Sequence, residues 1–387
     1  MNAHATSWVR HGPLNCQNGQ LTVWEGKRSG EMTLRKAGSP DDGMKRKPIT
    51  ARELARMIGV SQSAVSRAFT PGASIAADLR EKILQHAAEM DYHPNAIASM
   101  LSKSRTNIIG IVVSDMQNPF YPALIEKLSR ALQEIGQQSL LFNIARGSNL
   151  EDQLSALRRY NVDAVIVISA TILSAQTLLW ATEGRAAILI NRIIEDVDLS
   201  CVACDNAQGA RAVADHFNAL GRRHVAYVAG LSHTSTNSER RNAFITRVAE
   251  LGMVLSTQIE GSEYSYDAGR RAAMKVVDNA PKTDAIFFAN DILAIGGIDA
   301  LKEQAGRRVP EDIAVAGFDD IAIAGWPHYD LTTFRQPVDE MVRVVVRMVE
   351  EGSCAPGKPP IVKRLSGELV IRGSTAPAHH GCSATPG

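Results

Sequence analysis

Polar residues at the start of a short helical segment carry the first candidate chemistry. Gln62, Ser63 and Arg67 lie within two helical turns of each other, and Gln and Arg side chains suit the edges of adenine and guanine. Residues 45–105 contain 10 Lys or Arg against 5 Asp or Glu, whereas the whole chain contains 42 against 41. Because a local excess of positive charge attracts phosphates, this segment is predicted to bind DNA.

Polar residues that follow apolar runs carry the second candidate chemistry. From Asn107 onward, seven apolar runs alternate with amphipathic segments, which predicts parallel sheets covered by helices on both faces. Ligands of such sheets bind beyond the carboxyl ends of the strands. Four of these ends carry polar pairs, namely Ser114-Asp115, Asn191-Arg192, Asn290-Asp291 and Asp319-Asp320. The sequence therefore predicts a small-molecule site at these ends.

Composition and cysteine spacing narrow the class of protein. The 387 residues are 45% hydrophobic and 21% charged, which is typical of a globular protein with two or three domains. No apolar stretch is long enough to cross a bilayer and no secretory signal is recognised, so we expect a cytoplasmic protein. Cys201 and Cys204 form a lone C-x-x-C within an apolar, strand-like run. They are expected to be buried structural thiols, and no metal or cofactor is expected.

Three short helical segments must position the N-terminal polar residues. Thr50 and Glu53 form a capping box at the start of the first, and Gly59 favours the left-handed turn that ends it. Ser61 is expected to cap the second helix, and the third is predicted from about Asp78 to Met90. Two helices joined by a Gly-containing turn, with a third that completes the core, form a helix-turn-helix.

These segments resemble the lactose/galactose repressor family of bacterial transcription regulators. The resemblance rests in the headpiece on Ile49-Thr50, Gly59-Val60-Ser61, Ala64-Val65-Ser66-Arg67, Arg80-Glu81-Lys82-Ile83 and Tyr92-His93-Pro94-Asn95-Ala96-Ile97-Ala98. It continues through Gly110, Asn118-Pro119-Phe120, Gly317-Phe318-Asp319-Asp320 and Leu331-Thr332-Thr333. It implies an α/β fold class, with an N-terminal helix-turn-helix headpiece, a hinge helix and a two-lobed periplasmic-binding-protein-like core of doubly wound parallel sheets.

The domain boundaries expected from this resemblance follow the changes in pattern along the chain. They are a disordered or untranslated leader at 1–43, the headpiece at 44–93, the hinge and linker at 94–105, the effector-binding and dimerisation core at 106–373, and a disordered tail at 374–387. Within the core, lobe one is expected at 106–204 and 335–363, and lobe two at 205–334 and 364–373.

The resemblance implies a set of DNA contacts in the headpiece and hinge. The expected DNA-binding residues are Thr50, Ser61, Gln62, Ser63, Ser66, Arg67, Asn95, Ala98 and Leu101. Leu101 matches the family's hinge leucine, which wedges into the minor groove and kinks the duplex. Two alternatives stay open, since Ser61 could serve only as a helix cap and Leu101 only as a packing residue. Ile75-Ala76 replace the Val-Ser that usually caps the third helix in the family.

The resemblance also implies a set of effector contacts in the core. The expected residues are Asn118, Phe120, Tyr121, Asn191, Arg192, Arg240, Tyr264, Asn290 and Asp319. Arg240 matches the family's ligand-binding arginine four residues before an aromatic, here Phe244. Two arginines favour an anionic or heavily hydroxylated effector, such as a sugar or sugar acid. Asp319 or Asp320 could instead cap the following helix, and Arg192 could bridge the lobes.

These features predict a sequence-specific DNA-binding regulator, a repressor whose operator affinity is controlled by a small molecule bound between two lobes. Its expected partners are a palindromic DNA operator, the effector and a second copy of the chain, with no membrane. A solute-binding protein and a sugar-converting enzyme on the same scaffold are the alternatives. The basic headpiece and the missing secretory signal count against the first. The missing G-x-S-x-G, P-loop and H-E-x-x-H motifs count against the second.

Overall fold

The computed structural model describes residues 49–70, 72–93, 106–144, 159–168, 185–194, 199–231 and 234–375, together with the backbone of three strands before them. The chain divides into two compact units, Met1–Ser99 and Met100–Gly387. The division falls within the predicted hinge at 94–105. All of that segment, including Asn95, Ala98 and Leu101, lies outside the described residues.

Three strands occupy part of the N-terminal leader. They are β1 (Asn15–Gln17), β2 (Gln20–Gly26) and β3 (Met32–Lys36), and they pair antiparallel in that order. The structure therefore differs from the expectation of a disordered leader over these stretches. Alternating apolar residues in Leu21-Thr22-Val23 and Met32-Thr33-Leu34 favour a strand and explain the difference.

The headpiece contains three helices, α1 (Ala51–Ile58), α2 (Gln62–Ala68) and α3 (Ala77–Glu89). The predicted capping box is present, since the Glu53 amide donates to Thr50 Oγ1 at 3.3 Å and the Thr50 amide donates to Glu53 Oε2 at 2.8 Å. Gly59 ends α1 with φ 77°, and Ser61 Oγ accepts from the Ala64 amide at 3.2 Å. Leu54, Val65 and Ile83 lie at the centre of the core that the three helices share.

The first turn of α3 has no side-chain cap, because Ala76 occupies the N-cap position. We expect Ala76→Ser to stabilise the headpiece by about 1 kcal/mol, since a serine hydroxyl would accept from an unpaired amide of the first turn. Hydrogen exchange of α3 amides in the full chain measures the effect. Slower exchange in α3 with unchanged exchange in the core helix Asp291–Glu303 is the expected result, and unchanged exchange in α3 would contradict it.

Lobe one is built on a six-stranded sheet in the order β14-β8-β7-β6-β4-β5, with every neighbouring pair parallel. Its strands are β4 (Ile108–Val113), β5 (Gln138–Asn143), β6 (Ala164–Ile168), β7 (Ala186–Ile190), β8 (Ser200–Cys204) and β14 (Val362–Leu365). Its described long helices are α4 (Phe120–Glu134) and α9 (Val338–Glu350), which pack against each other.

Lobe two is built on a second six-stranded sheet in the order β10-β9-β11-β12-β13-β15. Its strands are β9 (His224–Leu231), β10 (Val254–Gly261), β11 (Ala285–Phe288), β12 (Ala314–Asp319), β13 (Thr332–Arg335) and β15 (Glu368–Val370), and only β13 and β15 pair antiparallel. Its helices are α5 (Asn206–Ala219), α6 (Ser235–Glu250), α7 (Tyr266–Asn279) and α8 (Asp291–Glu303). The expected α/β fold class, with two sheets of mostly parallel strands, is confirmed.

The chain passes between the two sheets three times, after β8, between β13 and α9, and between β14 and β15. The last passage comes two residues later than the sequence suggested, because Arg364 and Leu365 still pair with β8 of lobe one. The ordered core also extends past residue 373. Ser374 and Thr375 are buried, and Ser374 Oγ donates to the Val315 carbonyl at 2.7 Å. These hydrogen bonds fix two residues that had been expected in a disordered tail.

The two cysteines of the C-x-x-C motif lie on β8 and face different apolar clusters. Residues three apart on a strand point to opposite faces of the sheet, so the two thiols cannot share a metal. Burial raises the pKa of the Cys204 thiol to about 12. Both cysteines are free and buried, in agreement with their expected structural role.

Candidate functional sites in the headpiece and core

Helix α2 presents a polar face to solvent. Gln62, Ser63, Ser66 and Arg67 are all exposed, whereas Ala64, Val65 and Ala68 on the other face are buried. No acidic residue lies in α2, so its exposed face carries only the positive charge of Arg67. The positive end of the helix dipole adds to this potential at the N-terminus. This face has the chemistry to contact phosphates and base edges.

The headpiece side chains are partly ordered by one another. Ser61 Oγ lies 2.9 Å from Ser63 Oγ, and Arg67 Nε donates to the Ser63 carbonyl at 3.3 Å. Within the described residues the two terminal nitrogens of Arg67 form no hydrogen bond, so they are available to a DNA acceptor. Ser61 does act as a helix cap. Its side chain is also exposed, so capping does not exclude a phosphate contact.

Arg240 lies at the centre of the core site, on α6, and is buried. Its Nη1 donates to the Ala289 carbonyl at 2.6 Å and its Nε donates to Asn206 Oδ1 at 2.9 Å. The guanidinium carbon lies 3.6 Å above the centre of the Phe318 ring. Nη2 lies 3.5 Å from Asp319 Oδ1. Arg240 is thus held in one orientation, with Nη2 directed toward the carboxylate at the end of β12.

Asp319 ends β12 with a left-handed backbone (φ 119°), and its side chain is buried. Gln336 Nε2 donates to Asp319 Oδ1 at 2.7 Å. Burial raises the pKa of Asp319 to about 6, and the Arg240 charge and hydrogen bonds from Gln336 and Asn118 oppose this rise. The carboxylate is therefore a strong acceptor that is charged above about pH 6.

Asp291, the first residue of α8, positions the turn that carries Asp319. Its Oδ1 accepts from the Thr333 hydroxyl at 2.5 Å and its Oδ2 accepts from the Ile321 amide at 2.9 Å. A Cβ added at Gly317 would lie 2.2 Å from Asp291 Oδ1, so only glycine fits there. Burial raises the pKa of Asp291 well above its ordinary value, and the Asp319 charge adds to the effect. Asp291 thus holds the turn in place through its hydrogen bonds to Thr333 and Ile321.

Asp320 does not cap a helix, contrary to the alternative left open by the sequence. The helical turn that follows runs Ala322–Gly325 and has no side-chain cap. Asp320 instead accepts from Arg335 Nε at 2.6 Å and from Arg372 Nη2 at 2.7 Å. Two arginines fix the carboxylate, so Asp320 helps to hold the same turn in place.

A second buried arginine, Arg192, follows the end of β7 in lobe one. Burial lowers the pKa of Arg192, and the nearby hydroxyls of Tyr121 and Tyr264 oppose this change. Tyr264 belongs to lobe two, and its hydroxyl is also close enough to Arg240 and Asp319 to be affected by their charges. A Cβ at Gly230 would lie 1.9 Å from the Tyr264 ring, so the close approach of the ring requires glycine. These mutual electrostatic effects place five expected effector residues near one another, namely Arg192, Tyr121, Tyr264, Arg240 and Asp319.

The remaining expected effector residues have different surroundings. Asn118 is buried beside Asp319 and its Oδ1 accepts from the Phe120 amide at 3.1 Å. Asn290 caps α8 by accepting from the Leu293 amide at 3.2 Å. Phe120 packs edge-on against Tyr121 in the apolar core, and Asn191 has a left-handed backbone (φ 66°) at the end of β7. For Phe120 and Asn191 the described contacts are those of packing and turn residues.

Sequence reasoning missed several residues of this site. Asn206 and Gln336, which contact Arg240 and Asp319, follow β8 and β13, so the rule about strand ends would have found them. Phe318, under the Arg240 guanidinium, had been read only as the end of an apolar run. Asn237 is buried on α6, and its Oδ1 accepts from the Tyr227 hydroxyl at 3.0 Å. No sequence signal points to Asn237.

Several buried polar atoms at this site have no hydrogen-bond partner within the described residues. They are Asn237 Nδ2, Asn290 Nδ2, Tyr264 Oη and Gln336 Oε1. Of these four residues, Gln336 lines a cavity of about 630 Å³, together with Asp319, Phe120 and Leu124. A buried polar group without a partner costs about 1–3 kcal/mol, so their grouping indicates a place where a polar ligand supplies the missing partners.

The raised pKa of Asp319 has a consequence for stability. Because the folded pKa of about 6 exceeds the ordinary 3.8, the protonated carboxyl stabilises the folded state at low pH. That contribution is complete below pH 3.8 and is lost as the pH rises through 6, by about 3 kcal/mol at most. Asp319→Asn should therefore flatten the fall in unfolding free energy between these pH values, as measured by urea titrations. An unchanged pH profile would contradict the assignment.

Comparisons with known proteins match both the headpiece and the core of this chain. A family profile described as "Bacterial regulatory proteins, lacI family" matches residues 50–95, and one described as "Periplasmic binding protein-like domain" matches 214–375. The chain is 31% identical over 336 residues to the transcriptional regulator DegA of Bacillus subtilis, covering 85% of this chain and 98% of DegA. No helix in the described part of the chain is long and apolar enough to span a membrane.

Two solved structures share the fold. The Lac repressor dimer bound to operator has a TM-score of 0.75 at 23% identity and covers 85% of this chain and 99% of that one. The complex of the regulator CelR with cellobiose has a TM-score of 0.61 at 28% identity and covers 84% and 99%. With an N-terminal helix-turn-helix, two lobes of parallel sheet and a near full-length relative at 31% identity, this chain belongs to the lacI family of bacterial regulatory proteins.

Proposed function

We propose that this chain binds a palindromic operator as a dimer, and that a sugar or sugar acid bound between its lobes controls operator affinity. The observation that carries the proposal is the buried Arg240–Asp319 pair, 3.5 Å apart and surrounded by polar atoms without partners. The exposed face of α2 supplies the other half of the function, since Gln62 and Arg67 suit base edges in the major groove.

The polar atoms of the core site match the chemistry of a sugar. Asn237 Nδ2 and Asn290 Nδ2 offer donors, Gln336 Oε1 and the Asp319 carboxylate offer acceptors, and the Tyr264 hydroxyl can do either. A hydroxyl group both donates and accepts, so a polyhydroxylated ligand satisfies both kinds of atom at once. The cavity of about 630 Å³ beside Asp319 and Gln336 has a volume within the usual range of small-molecule sites. The cellobiose complex of CelR supports the same ligand class.

The charge of the site allows either a neutral sugar or a sugar acid. Above about pH 6 the Asp319 carboxylate balances the charge of Arg240. Arg192 is buried near two tyrosines and adds one further positive charge. A carboxylate on the ligand would pair with Arg192, whereas a neutral sugar would leave the present arrangement unchanged. The two ligand classes thus differ in their expected dependence on Arg192.

A chain of polar contacts connects this site to all three passages between the lobes. Arg364, on β14, donates to Glu239 Oε1 at 2.7 Å, and Asn206 Nδ2 donates to Glu239 Oε2 at 2.8 Å. Asn206 also accepts from Arg240, and Gln336 donates to Asp319. One residue in or next to each passage therefore takes part in these polar contacts. A ligand that shifts Arg240 and Asp319 changes the contacts that hold the two lobes in one arrangement.

The proposal is tested in two steps with the full chain. Selection from a random duplex library should first enrich a palindrome, because a dimer reads two half-sites. Calorimetric titrations with cellobiose, glucose, ribose and gluconate, repeated in the presence of the selected duplex, then identify a ligand whose binding changes with DNA. Absence of an enriched palindrome would contradict the operator. Ligand binding that never depends on the duplex would contradict the control of DNA affinity.

A further inference from the structure

A second cavity of about 470 Å³ lies at the amino ends of the lobe-one strands, at the edge of the sheet away from the proposed effector site. Its polar wall comes from the segments that lead into β5, β6 and β7, with Gln137, Asn161, Asp163 and Arg185. Apolar residues and Cys354, just after α9, form the opposite wall. The cavity lies wholly within lobe one and shares no lining residue with the cavity at Asp319.

Two polar groups in this wall have no partner within the described part of the chain. Gln137 Oε1 is inaccessible to solvent and accepts no hydrogen bond. Arg185 is half-buried and forms no hydrogen bond or ion pair, although Asp163 lines the same cavity. Both groups lose hydration without gaining a partner, which is unfavourable. A ligand that brings an anionic acceptor to Arg185 and a donor to Gln137 removes both costs.

Within the described residues the carboxylate of Asp163 forms no ion pair with Arg185 and instead accepts hydrogen bonds from the start of the core. Its Oδ1 accepts from the Thr106 amide at 2.8 Å and the Thr106 hydroxyl at 2.9 Å, and its Oδ2 accepts from the Asn107 amide at 2.8 Å. Asp163 thus anchors the first described residues after the predicted hinge. The loop at 161–163 therefore contributes to the cavity wall and also holds Thr106 and Asn107 by hydrogen bonds.

From these contacts we propose a second ligand site, at which the base of lobe one binds a small hydroxylated anion. The planar fork of Arg185 suits a phosphate or a carboxylate, and a neighbouring hydroxyl of the same molecule donates to Gln137 Oε1. The volume of about 470 Å³ suits a molecule of a few carbons. The loop at 161–163 also bonds to Thr106, the first described residue after the predicted hinge. A ligand bound in the cavity therefore affects the position of the segment through which the chain enters the core.

Calorimetry of the full chain tests the site with four probes: glycerol 3-phosphate, glycerate, inorganic phosphate and glycerol. The first two are expected to bind most tightly, because each carries both an anion and a hydroxyl, and neutral glycerol is not expected to bind. Stronger binding of glycerol 3-phosphate than of glycerate identifies a phosphate site, and the reverse order identifies a carboxylate site. Failure of all three anions to bind at about 10 mM would overturn the proposal.

Variants locate the binding. Arg185→Met should weaken glycerol 3-phosphate binding at least about tenfold, since a charge-assisted pair is lost. Gln137→Leu should weaken glycerol 3-phosphate but not inorganic phosphate. Arg159→Met, an exposed arginine of the same lobe, is the matched control and should bind like the parent. If Arg185→Met binds as tightly as the parent, or if only Arg240→Ala loses binding, the anion binds elsewhere and the proposal fails.

A chemical readout independent of affinity uses Cys354, which lines the cavity and is partly exposed, whereas Cys201 and Cys204 are buried. In a Cys16→Ser, Cys382→Ser background, glycerol 3-phosphate should slow modification of Cys354 by a thiol reagent severalfold. The same ligand should have no effect on the rate when Arg185→Met is added. Equal protection with and without Arg185 would show that the ligand does not occupy this cavity.

Discussion

Arg240→Ala is expected to weaken effector binding at least about 100-fold, or about 3 kcal/mol, because the buried guanidinium is the central charged contact of the site. The same change leaves the Asp319 carboxylate buried beside an empty space and removes the bonds to Asn206 and Ala289. Breaking a buried pair in this way costs about 3–5 kcal/mol of stability. Calorimetry with the identified sugar and urea unfolding of the core measure the two effects.

The matched control for this variant is Arg247→Ala on the same helix. Arg247 pairs with Asp215 at 2.7 Å and Glu250 at 2.9 Å, but it is only half-buried and both of its partners are exposed. Exposed pairs contribute about 0–1 kcal/mol, so both effector affinity and stability should stay near those of the parent. An Arg240→Ala protein that remains folded and binds the effector as tightly as Arg247→Ala would refute the assignment of the site. Arg240→Lys, which keeps the charge without the planar fork, should lie between the two.

Gln62→Ala combined with Arg67→Ala is expected to lower operator affinity by about 2–6 kcal/mol, since each bidentate base contact contributes about 1–3 kcal/mol. Both side chains are exposed on α2, so the headpiece should keep its fold and its thermal stability. Binding to a duplex without the operator should change much less, because phosphate contacts from other basic residues remain. Fluorescence anisotropy with operator and scrambled duplexes at one salt concentration measures the difference.

Gln85→Ala provides the control for the headpiece pair. Gln85 lies on α3, is exposed and donates to Glu89 Oε1 at 3.2 Å, so its loss tests the effect of a surface change away from α2. It should bind both duplexes like the parent. If the double variant loses equal affinity for operator and scrambled duplexes, Gln62 and Arg67 contact only the phosphate backbone and another element reads the sequence.

Local features of the fold were predictable from the sequence because each depends on neighbouring residues. The Thr50–Glu53 capping box, the left-handed Gly59 and the Ser61 cap need only a few residues each. The apolar runs that become β4, β6 and β7 are buried on both faces, which explains their unbroken hydrophobicity. The absent cap at Ala76 followed from the residue type alone.

Features that depend on distant pairing were not predictable in the same way. The third passage between the lobes is placed by the pairing of Arg364 and Leu365 with β8, more than 150 residues earlier. Likewise Ser374 and Thr375 belong to the core because Thr332 and Val315 bond to them. Small polar residues near a chain end give no local signal of burial, so the boundary of the core was set too early.

The candidate effector site was only partly predictable, because some of its contacts join residues that are distant in the sequence. Arg240 and Asp319 could be named from the family resemblance, and the structure brings their charged groups together. The supporting residues Asn206 and Gln336 follow strand ends and could have been named by that rule, but their bonds to Arg240 and Asp319 are visible only in the folded chain. Asp291 could be seen as a polar residue at a strand end. Its hydrogen bonds to Thr333 and Ile321 are visible only in the folded structure. They show that Asp291 supports the turn rather than contacting a ligand.

The most direct test of the account is a linkage measurement. The dissociation constant of the identified sugar is measured by calorimetry for the full chain alone and for the chain bound to its operator, and operator affinity is measured with and without the sugar. Because coupling between two sites is reciprocal, the two ratios should be equal, and the coupling should amount to about 1–3 kcal/mol. In Arg240→Ala both ratios should fall to one. A sugar that binds with the same dissociation constant in the presence and absence of operator would contradict control of DNA binding through the Arg240–Asp319 site.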